Sequence, residues 1–185
     1  MFNYTLKQLK ERAETVDAHH NALVNLSEIS NYYDLLVHIK EYSEFFITNH
    51  IIEHSFLSQF PPDTLASLNI FLHGANNLLL DKRNFTALVW NAGLDTDVFD
   101  DSVAGIKVFG TGYLEANLTG RTATAIKVYG KGTVEVTAKD NAVANVSLYQ
   151  KSNSKIKNFG DSIVMVLNNS KGHHVFIGND QLILK

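Results

Sequence analysis

The chain has 185 residues, 45% of them hydrophobic, which is enough for one sizeable core or two small domains. Its formal net charge of −3 argues against binding to nucleic acid, because affinity for the phosphate backbone comes mostly from lysine and arginine. The absence of cysteine excludes disulfides and thiolate metal sites. No signal peptide opens the chain and no apolar run is as long as a membrane span. We therefore expect a protein that is cytoplasmic at synthesis and binds no membrane.

Residues 1–62 are predicted to form a helical N-terminal domain. Thr5 is placed to cap a first helix, because apolar residues then recur at three- and four-residue steps. His19-His20-Asn21 interrupts this pattern, and a second helical segment is predicted to start at Ser27 or Ser30. Such a domain is able to cover one end of a stack of strands, which would otherwise expose unpaired strand edges.

The only two prolines, Pro61-Pro62, end the helical pattern and mark the predicted domain boundary. Residues 63–93 are assigned to irregular first coils or a linker. Within them, Leu78-Leu79-Leu80 and Ala87-Leu88-Val89-Trp90 are typical of strands, but they are out of phase with the sequence that follows. Terminal repeats are often atypical, so this stretch is interpreted as the start of a repeat domain or as its cap.

Residues 94–185 form an internal repeat with a period of ten. Apolar and polar residues alternate in each unit, as in residues 133–138, and this predicts strands with one buried face. The clearest match occurs at a lag of twenty, where residues 106–112 match residues 126–132. Like residues recur in this way when parallel coils stack in register.

We therefore predict an α+β protein, in which the helical N-terminal segment is followed by a two-faced parallel β-solenoid of about twenty residues per coil. The alternative is an antiparallel β-sandwich or meander. Three-residue hairpin loops would also keep the buried side chains on even-numbered positions, so parity alone does not separate the two folds.

Turn formers and small residues recur at fixed places and predict the corners of the coils. Small residues at positions ending in 2 are expected inside the bends, where a larger side chain has no room. Gly110-Thr111-Gly112 and Gly130-Lys131-Gly132 are assigned to these bends, because neither completes a phosphate-binding motif. Positions ending in 0 hold Asp100, Gly110, Gly120, Gly130, Asp140, Gly160, Ser170 and Asp180, with Gln150 as the exception.

The segment His50-Ile51-Ile52-Glu53-His54 has the H-x-x-E-H spelling of inverted zincins, in which two histidines four apart on a helix bind zinc beside a catalytic glutamate. A downstream helix should supply a third ligand, but here the repeat follows. Solvated histidines are the favoured interpretation, and we predict no metal, no cofactor and no catalytic residue. His173-His174 is assigned to a turn. Solvated turns, rather than a calcium site, are also the interpretation of Asp95, Asp97, Asp100 and Asp101.

Phe109, Tyr129 and Tyr149 form another series at a lag of twenty, with Phe99 and Phe159 on the opposite side. Rings on stacked rungs pack against one another, which is the structural interpretation of this ladder. A ladder of rings on a rigid face is also able to bind a sugar or another protein. The three residues are therefore a candidate ligand-facing site as well.

Apolar residues occupy positions of the last coil that should face outward. They are Ile163, Met165, Leu167, Val175 and Ile177. A coil that is apolar on both sides needs a cover, either the N-terminal helices or another chain. We therefore predict a protein partner or self-association through the C-terminal coil, with a homo-oligomer as one form of it.

Val108-Phe109-Gly110, Val128-Tyr129-Gly130 and Asn158-Phe159-Gly160 repeat one short motif. Together with Asp100-Asp101-Ser102-Val103 at a repeat corner and residues 16–24 near the N-terminus, they make the chain similar to small phage- and prophage-associated proteins that carry V-x-V-[YF]-G-x-[SG]-x-V-x-[VA] repeats. This resemblance implies a helical N-terminal part, a solenoid-like C-terminal part and a viral or mobile-element origin. It implies no catalytic residues.

Three functional hypotheses are compatible with these patterns. The leading one is a non-enzymatic structural or docking protein that assembles through its solenoid, in the viral case as a phage virion component. The second is a module that captures a host factor, a sugar or a small ligand, for example a phage protein acting against host defence. The third is a zinc-dependent hydrolase built on His50, Glu53 and His54. A phage-derived protein would be found in the host cytoplasm or in the virion.

Overall fold

The structure is a computed structural model that describes residues 2–16, 22, 26, 28–81, 84–178 and 182–185. Contacts divide the chain into two compact units, Met1–Ile70 and Phe71–Lys185. The first unit is helical and the second consists of strands, with one short strand at the junction between them.

The helical unit contains five helices among its described residues. They are α1 (Phe2–Glu14), α2 (Tyr32–Glu41), α3 (Ser43–Thr48), α4 (His54–Leu57) and α5 (Pro62–Ser67). The predicted interruption at His19-His20-Asn21 lies outside the described residues.

Three helix boundaries differ from the predicted ones. α1 begins before Thr5, so this residue lies within the helix and does not cap it. α2 begins after Asn31, whose side-chain oxygen accepts a hydrogen bond from the Asp34 backbone N–H at 2.9 Å and thereby caps the helix. Pro62 is the first residue of α5, a position where the missing N–H of proline costs no hydrogen bond. Pro61-Pro62 therefore starts a helix as well as ending the apolar pattern before it.

Apolar side chains form the core of the helical unit. The fully buried ones include Leu26, Leu35, Leu36, Ile39, Phe46 and Leu57. His38 is buried among them, its Nε2 donating a hydrogen bond to the Ala22 carbonyl oxygen at 2.9 Å. Burial lowers the pKa of His38, although that hydrogen bond and the charge of Glu41 act in the opposite direction.

The second unit is built from short strands. They are β1 (Ile70–Phe71), β2 (Ala75–Asp81), β3 (Asn84–Trp90), β4 (Gly93–Phe99), β5 (Val103–Phe109), β6 (Tyr113–Leu118), β7 (Ala123–Val128), β8 (Thr133–Ala138), β9 (Val143–Gln150), β10 (Asn153–Asn158), β11 (Ile163–Ser170), β12 (His174–Gly178) and β13 (Leu182–Leu184). Sheet A has the order β1-β3-β5-β7-β9-β11-β13, and sheet B has the order β12-β10-β8-β6-β4-β2. Successive strands thus alternate between two sheets and wind a solenoid of about five turns.

Residues twenty apart lie in register over most of the stack. Ile106 pairs with Ile126, and Ile126 pairs with Val146 on the next strand of sheet A. Their side chains point between the sheets and are buried, as the two-residue alternation requires. Every pairing whose register the structure describes is parallel. The predicted parallel solenoid is therefore confirmed, and the antiparallel alternative is wrong.

The first coil is shorter than the others, which explains why its residues are out of phase. β2 pairs with β4 at an offset of eighteen, with Leu78 opposite Thr96. β3 pairs with β5 at an offset of nineteen, with Val89 opposite Val108. Because a shift by one residue moves a strand's side chains to the other face, β3 places the odd-numbered Ala87 and Val89 in the solenoid core, where later strands place even-numbered residues. Leu88 and Trp90, on the other face of β3, are buried as well.

The corners adopt the left-handed backbone conformation expected of turn formers. The values of φ range from 49° to 74° at Asp100, Gly110, Gly120, Gly130, Asp140, Gln150 and Gly160. Gln150 shares this conformation although glutamine is not a typical turn former, and its side-chain oxygen accepts a hydrogen bond from the Gly130 N–H. Inside the bends, a Cβ added to Gly132 would lie 2.9 Å from Cγ1 of Val128, so a small residue is required there.

Candidate functional site

The last coil exposes a cluster of large apolar side chains. Eleven large hydrophobic residues are exposed in the part of the chain that the structure describes, and six of them lie on β11, β12 and β13. With the half-buried Met165, they form the last-coil surface, which consists of Ile163, Met165, Leu167, Val175, Ile177, Ile183 and Leu184. All five residues singled out from the sequence belong to it, and the two on β13 add to it.

The last-coil surface lies at the ends of both sheets. β12 ends the order of sheet B and β13 ends that of sheet A. β13 covers only residues 164–166 of β11, so Ile163 and Leu167 flank the covered stretch. The apolar side chains therefore lie beside strand edges whose backbone groups are able to pair with another strand.

The aromatic ladder is a continuous ring stack. Ring centroids lie 4.8 Å apart between Phe109 and Tyr129 and 4.7 Å apart between Tyr129 and Tyr149, with interplanar angles of 6° and 5°. Only 1% of Phe109 and 9% of Tyr129 is exposed, so these two rings have almost no surface for a ligand. Tyr149 is half-buried. Stacking between rungs accounts for the ladder, and a ligand has access at most to its last ring.

His50 and His54 do not lie on one helix. His50 follows α3 with φ at 55°, Glu53 is the extended residue before α4, and His54 is the first residue of α4. The helical spacing that would bring both imidazoles to one metal ion is therefore missing. No group of three histidine or carboxylate side chains able to hold a metal occurs in the described part of the chain. The zinc-hydrolase hypothesis has no geometric basis in this segment.

Two of the four acidic residues, Asp97 before the corner at residues 100–101 and Asp101 within it, contact the following coil. The Asp97 carboxylate accepts a hydrogen bond from Nδ2 of Asn117 at 3.0 Å. The Asp101 carboxylate forms an ion pair with Arg121, with 2.9 Å between Oδ1 and Nε. Each partner lies twenty residues further along the chain, so these carboxylates contribute to stacking between rungs.

His174 was predicted in a turn, but it is the first residue of β12. Its Nδ1 lies 2.9 Å from Oγ of Ser154, the residue opposite it on β10. Burial lowers the pKa of His174, and the charge of His173 acts in the same direction. This histidine is therefore part of the end of the solenoid core and stacks on the ring of Phe176.

A cleft of about 620 Å³ in the helical unit was not predicted from the sequence. One wall comes from α1, where Thr5, Gln8, Leu9 and Arg12 follow the spacing of a single helix face. This spacing on α1 is the sequence signal for that wall of the cleft. The other lining residues are Tyr32, Ile51, Ile52, Glu53, Ser55, Phe56, Gln59 and Phe60.

No protein-family model matches the chain, and no curated protein or solved structure matches it either. Among the described residues, the helices are all too short or too polar to cross a membrane.

Proposed function

We propose that the protein is a non-enzymatic docking protein that assembles through the last coil of its solenoid. The observation that supports this proposal is the clustering of exposed apolar residues, six of the eleven described, on the three final strands. Apolar surface left exposed at the end of a stack in this way is typical of contacts with another protein.

A second copy of the chain is the partner that best fits the end of the solenoid. β12 and β13 are the edges of two packed sheets, which lie about 10 Å apart in such structures. A partner that pairs with both must offer two strand edges at the same separation, and a second solenoid end does so. A two-fold axis across the end would bring edge strands together in antiparallel pairs, and such an interface closes as a dimer.

Two aspartate substitutions in one outward column of sheet A test this proposal. Val103 and Ile163 belong to the same column through Ala123 and Val143, and are 50% and 37% exposed. We expect Ile163→Asp to be monomeric in analytical ultracentrifugation, because an unpaired carboxylate would be buried in the contact. The wild-type chain and the matched control Val103→Asp should remain dimeric, since Val103 lies three coils before Ile163.

Far-UV circular dichroism must show that each variant is folded. If Ile163→Asp does not fold, Leu167→Asp and Ile177→Asp provide the same test on opposite faces of the last coil. A wild-type chain that stays monomeric at high concentration would contradict the proposal. So would a dimer that survives all of the last-coil substitutions.

A phage or prophage particle is the setting proposed for this assembly, and the resemblance of the repeat to phage-associated proteins supports it. Mass spectrometry of purified particles should then detect peptides of this chain. Peptides found in the infected host's cytoplasm and absent from the particles would contradict a virion role, while leaving the dimer proposal to its own test.

A further inference from the structure

We propose that the cleft of the helical unit is a binding site for a small apolar zwitterion, such as a dipeptide with an aliphatic and an aromatic side chain. The cleft lies wholly within Met1–Ile70 and its volume of about 620 Å³ is within the usual range for small-molecule sites. It is separate from the last-coil surface, so this proposal does not depend on self-assembly.

The floor and one wall of the cleft are apolar. Leu9, Ile51 and Ile52 line the cleft and are at most 4% exposed. The ring of Phe60 packs edge-on against Tyr32 and Phe56, with centroids 5.5 and 5.6 Å apart. This lining offers both aliphatic carbon and aromatic rings. Both favour apolar side chains of a ligand over water.

Two opposite charges lie at the exposed rim of this apolar surface. Arg12 is held there by a hydrogen bond from Nη1 to the Ile51 carbonyl oxygen at 3.3 Å, and Glu53 follows two residues later in the chain. Neither side chain forms an ion pair with another described residue within 4.0 Å. Arg12 keeps further N–H groups for a carboxylate, and Glu53 keeps carboxylate oxygens for an ammonium group.

Uncharged hydrogen-bonding groups complete the rim. The amides of Gln8 and Gln59 line the cleft and form no side-chain hydrogen bond to any residue in the described ranges. They are able to bind the peptide group between the two charged ends of a dipeptide. A ligand with an apolar body, two unlike charges and a central amide satisfies every part of this lining. A purely apolar ligand would leave both charges unused.

Isothermal titration calorimetry with leucyl-phenylalanine tests the proposal. The N-acetylated form of this dipeptide lacks the ammonium group, and the C-amidated form lacks the carboxylate. We expect the wild-type chain to bind the free dipeptide at least about tenfold more tightly than either derivative, as hydrogen bonds to charged groups usually contribute that much. These comparisons use one folded protein and do not depend on the folding of a variant.

Charge-removing variants then assign the two ends. Arg12→Gln should weaken binding of the free dipeptide to the level of the amidated form, and Glu53→Gln should weaken it to the level of the acetylated form. Lys7→Gln and Glu11→Gln are matched controls, because these exposed residues of α1 pair with each other and do not line the cleft. They should bind as the wild-type chain does.

Absence of binding at millimolar dipeptide would overturn the proposal, as would equal binding of all three ligand forms. Unchanged affinity in both cleft variants would also overturn it. The titrations should be repeated with Ile163→Asp. If this variant binds the dipeptide, the cleft proposal stands whether the variant is a monomer or a dimer, so failure of the dimer proposal would not affect it.

Discussion

The solenoid and the helical unit bury their apolar side chains in different ways. In the solenoid, equivalent side chains lie on one another rung after rung, as Ile106, Ile126 and Val146 do. In the helical unit, Leu36 and Phe46 are equally buried, but they lie on different helices and occupy positions that occur once. Buried side chains therefore have equivalents on neighbouring rungs in the solenoid, but not in the helical unit.

This difference has a consequence for function. In a stack of coils each rung is stabilised by its neighbours, so the last rung, with one neighbour, is the place where apolar surface is left uncovered. In the helical unit no repeat constrains the surface, and a cleft with mixed chemistry is able to form between α1 and the segment around α4. The last-coil surface thus arises where a repeat ends, and the cleft arises where no repeat constrains the surface.

The largest expected effect concerns the repeated core column. Ile106→Ala and Ile126→Ala should each lower the free energy of unfolding of the solenoid by about 2–5 kcal/mol. The two losses should agree within about 1 kcal/mol, because both side chains are buried in the same column on adjacent rungs. Denaturant titration followed by the fluorescence of Trp90, the only tryptophan, reports on the solenoid.

Thr137→Ala, at an outward position, is the control and should change the free energy of unfolding by less than about 0.5 kcal/mol. Widely different losses at the two isoleucines would contradict the equivalence of the rungs.

Each coil has two corners, represented here by Gly132 and Ala142, and a smaller effect is expected from a comparison of the two. Gly132→Ala should destabilise the solenoid by about 1–3 kcal/mol, because the new Cβ would meet Val128 and the Tyr129 carbonyl oxygen. Ala142→Ser, at the opposite corner, should be tolerated far better, since Ser162 occupies the equivalent place one coil later and its hydroxyl donates a hydrogen bond to the Phe159 carbonyl oxygen. Thermal unfolding measures both. Equal losses would show that the corners are not distinct.

The helical unit should respond to acid through His38. Burial lowers its pKa below the unfolded value of about 6.5, so the unfolded state takes up the proton first as pH falls. Stability is therefore complete above about pH 6.5 and is lost as pH falls towards the folded pKa. Far-UV circular dichroism of the helices during denaturation at several pH values measures this loss. His38→Gln should reduce the slope, whereas His174→Gln in the solenoid should leave it in place. A slope that persists in His38→Gln would refute this assignment.

The smallest effect is expected at an exposed corner. Lys131, Lys151 and Lys171 line one surface depression at twenty-residue intervals, so like charges lie on successive rungs. Lys151→Glu places the opposite charge between the other two and should stabilise the solenoid by about 0.5 kcal/mol at low salt. The gain should disappear at high salt because exposed charges are screened. A gain of the same size in high salt would point to another cause.

Periodicity explains what could be predicted from the sequence. Residues 106–112 match residues 126–132 at a lag of twenty, and this match predicts that the strands are parallel and that residues twenty apart are in register. The alternation within each unit predicts which side chains are buried. Gln150 was out of pattern by residue type, yet its backbone follows its neighbours, because adjoining rungs determine the corner. The first coil could not be phased, since offsets of eighteen and nineteen depend on loop lengths that alternation does not reveal.

The helical unit was predicted less well for a related reason. Its helix starts depend on single contacts, such as the cap formed by Asn31, and not on a pattern that recurs. The cleft combines residues from α1 with residues about forty positions later, and no local spacing announces such a pairing. The last-coil surface was recognisable because large apolar residues follow one another at the outward positions of β11 and β12, where earlier strands carry mainly polar or small residues.

Cysteine pairs introduced into this cysteine-free chain test the in-register stack most directly. Asn117 and Thr137 are register partners on adjacent strands of sheet B, whereas Asp97 and Thr137 are two rungs apart. Adjacent strands lie about 4.8 Å apart, which is within the Cα separation that a disulfide spans, and two rungs exceed it. Under mild oxidation of the folded protein, we expect rapid cross-linking within the chain in Asn117→Cys/Thr137→Cys and none in Asp97→Cys/Thr137→Cys. Cross-linking of the second pair without the first would contradict the parallel solenoid.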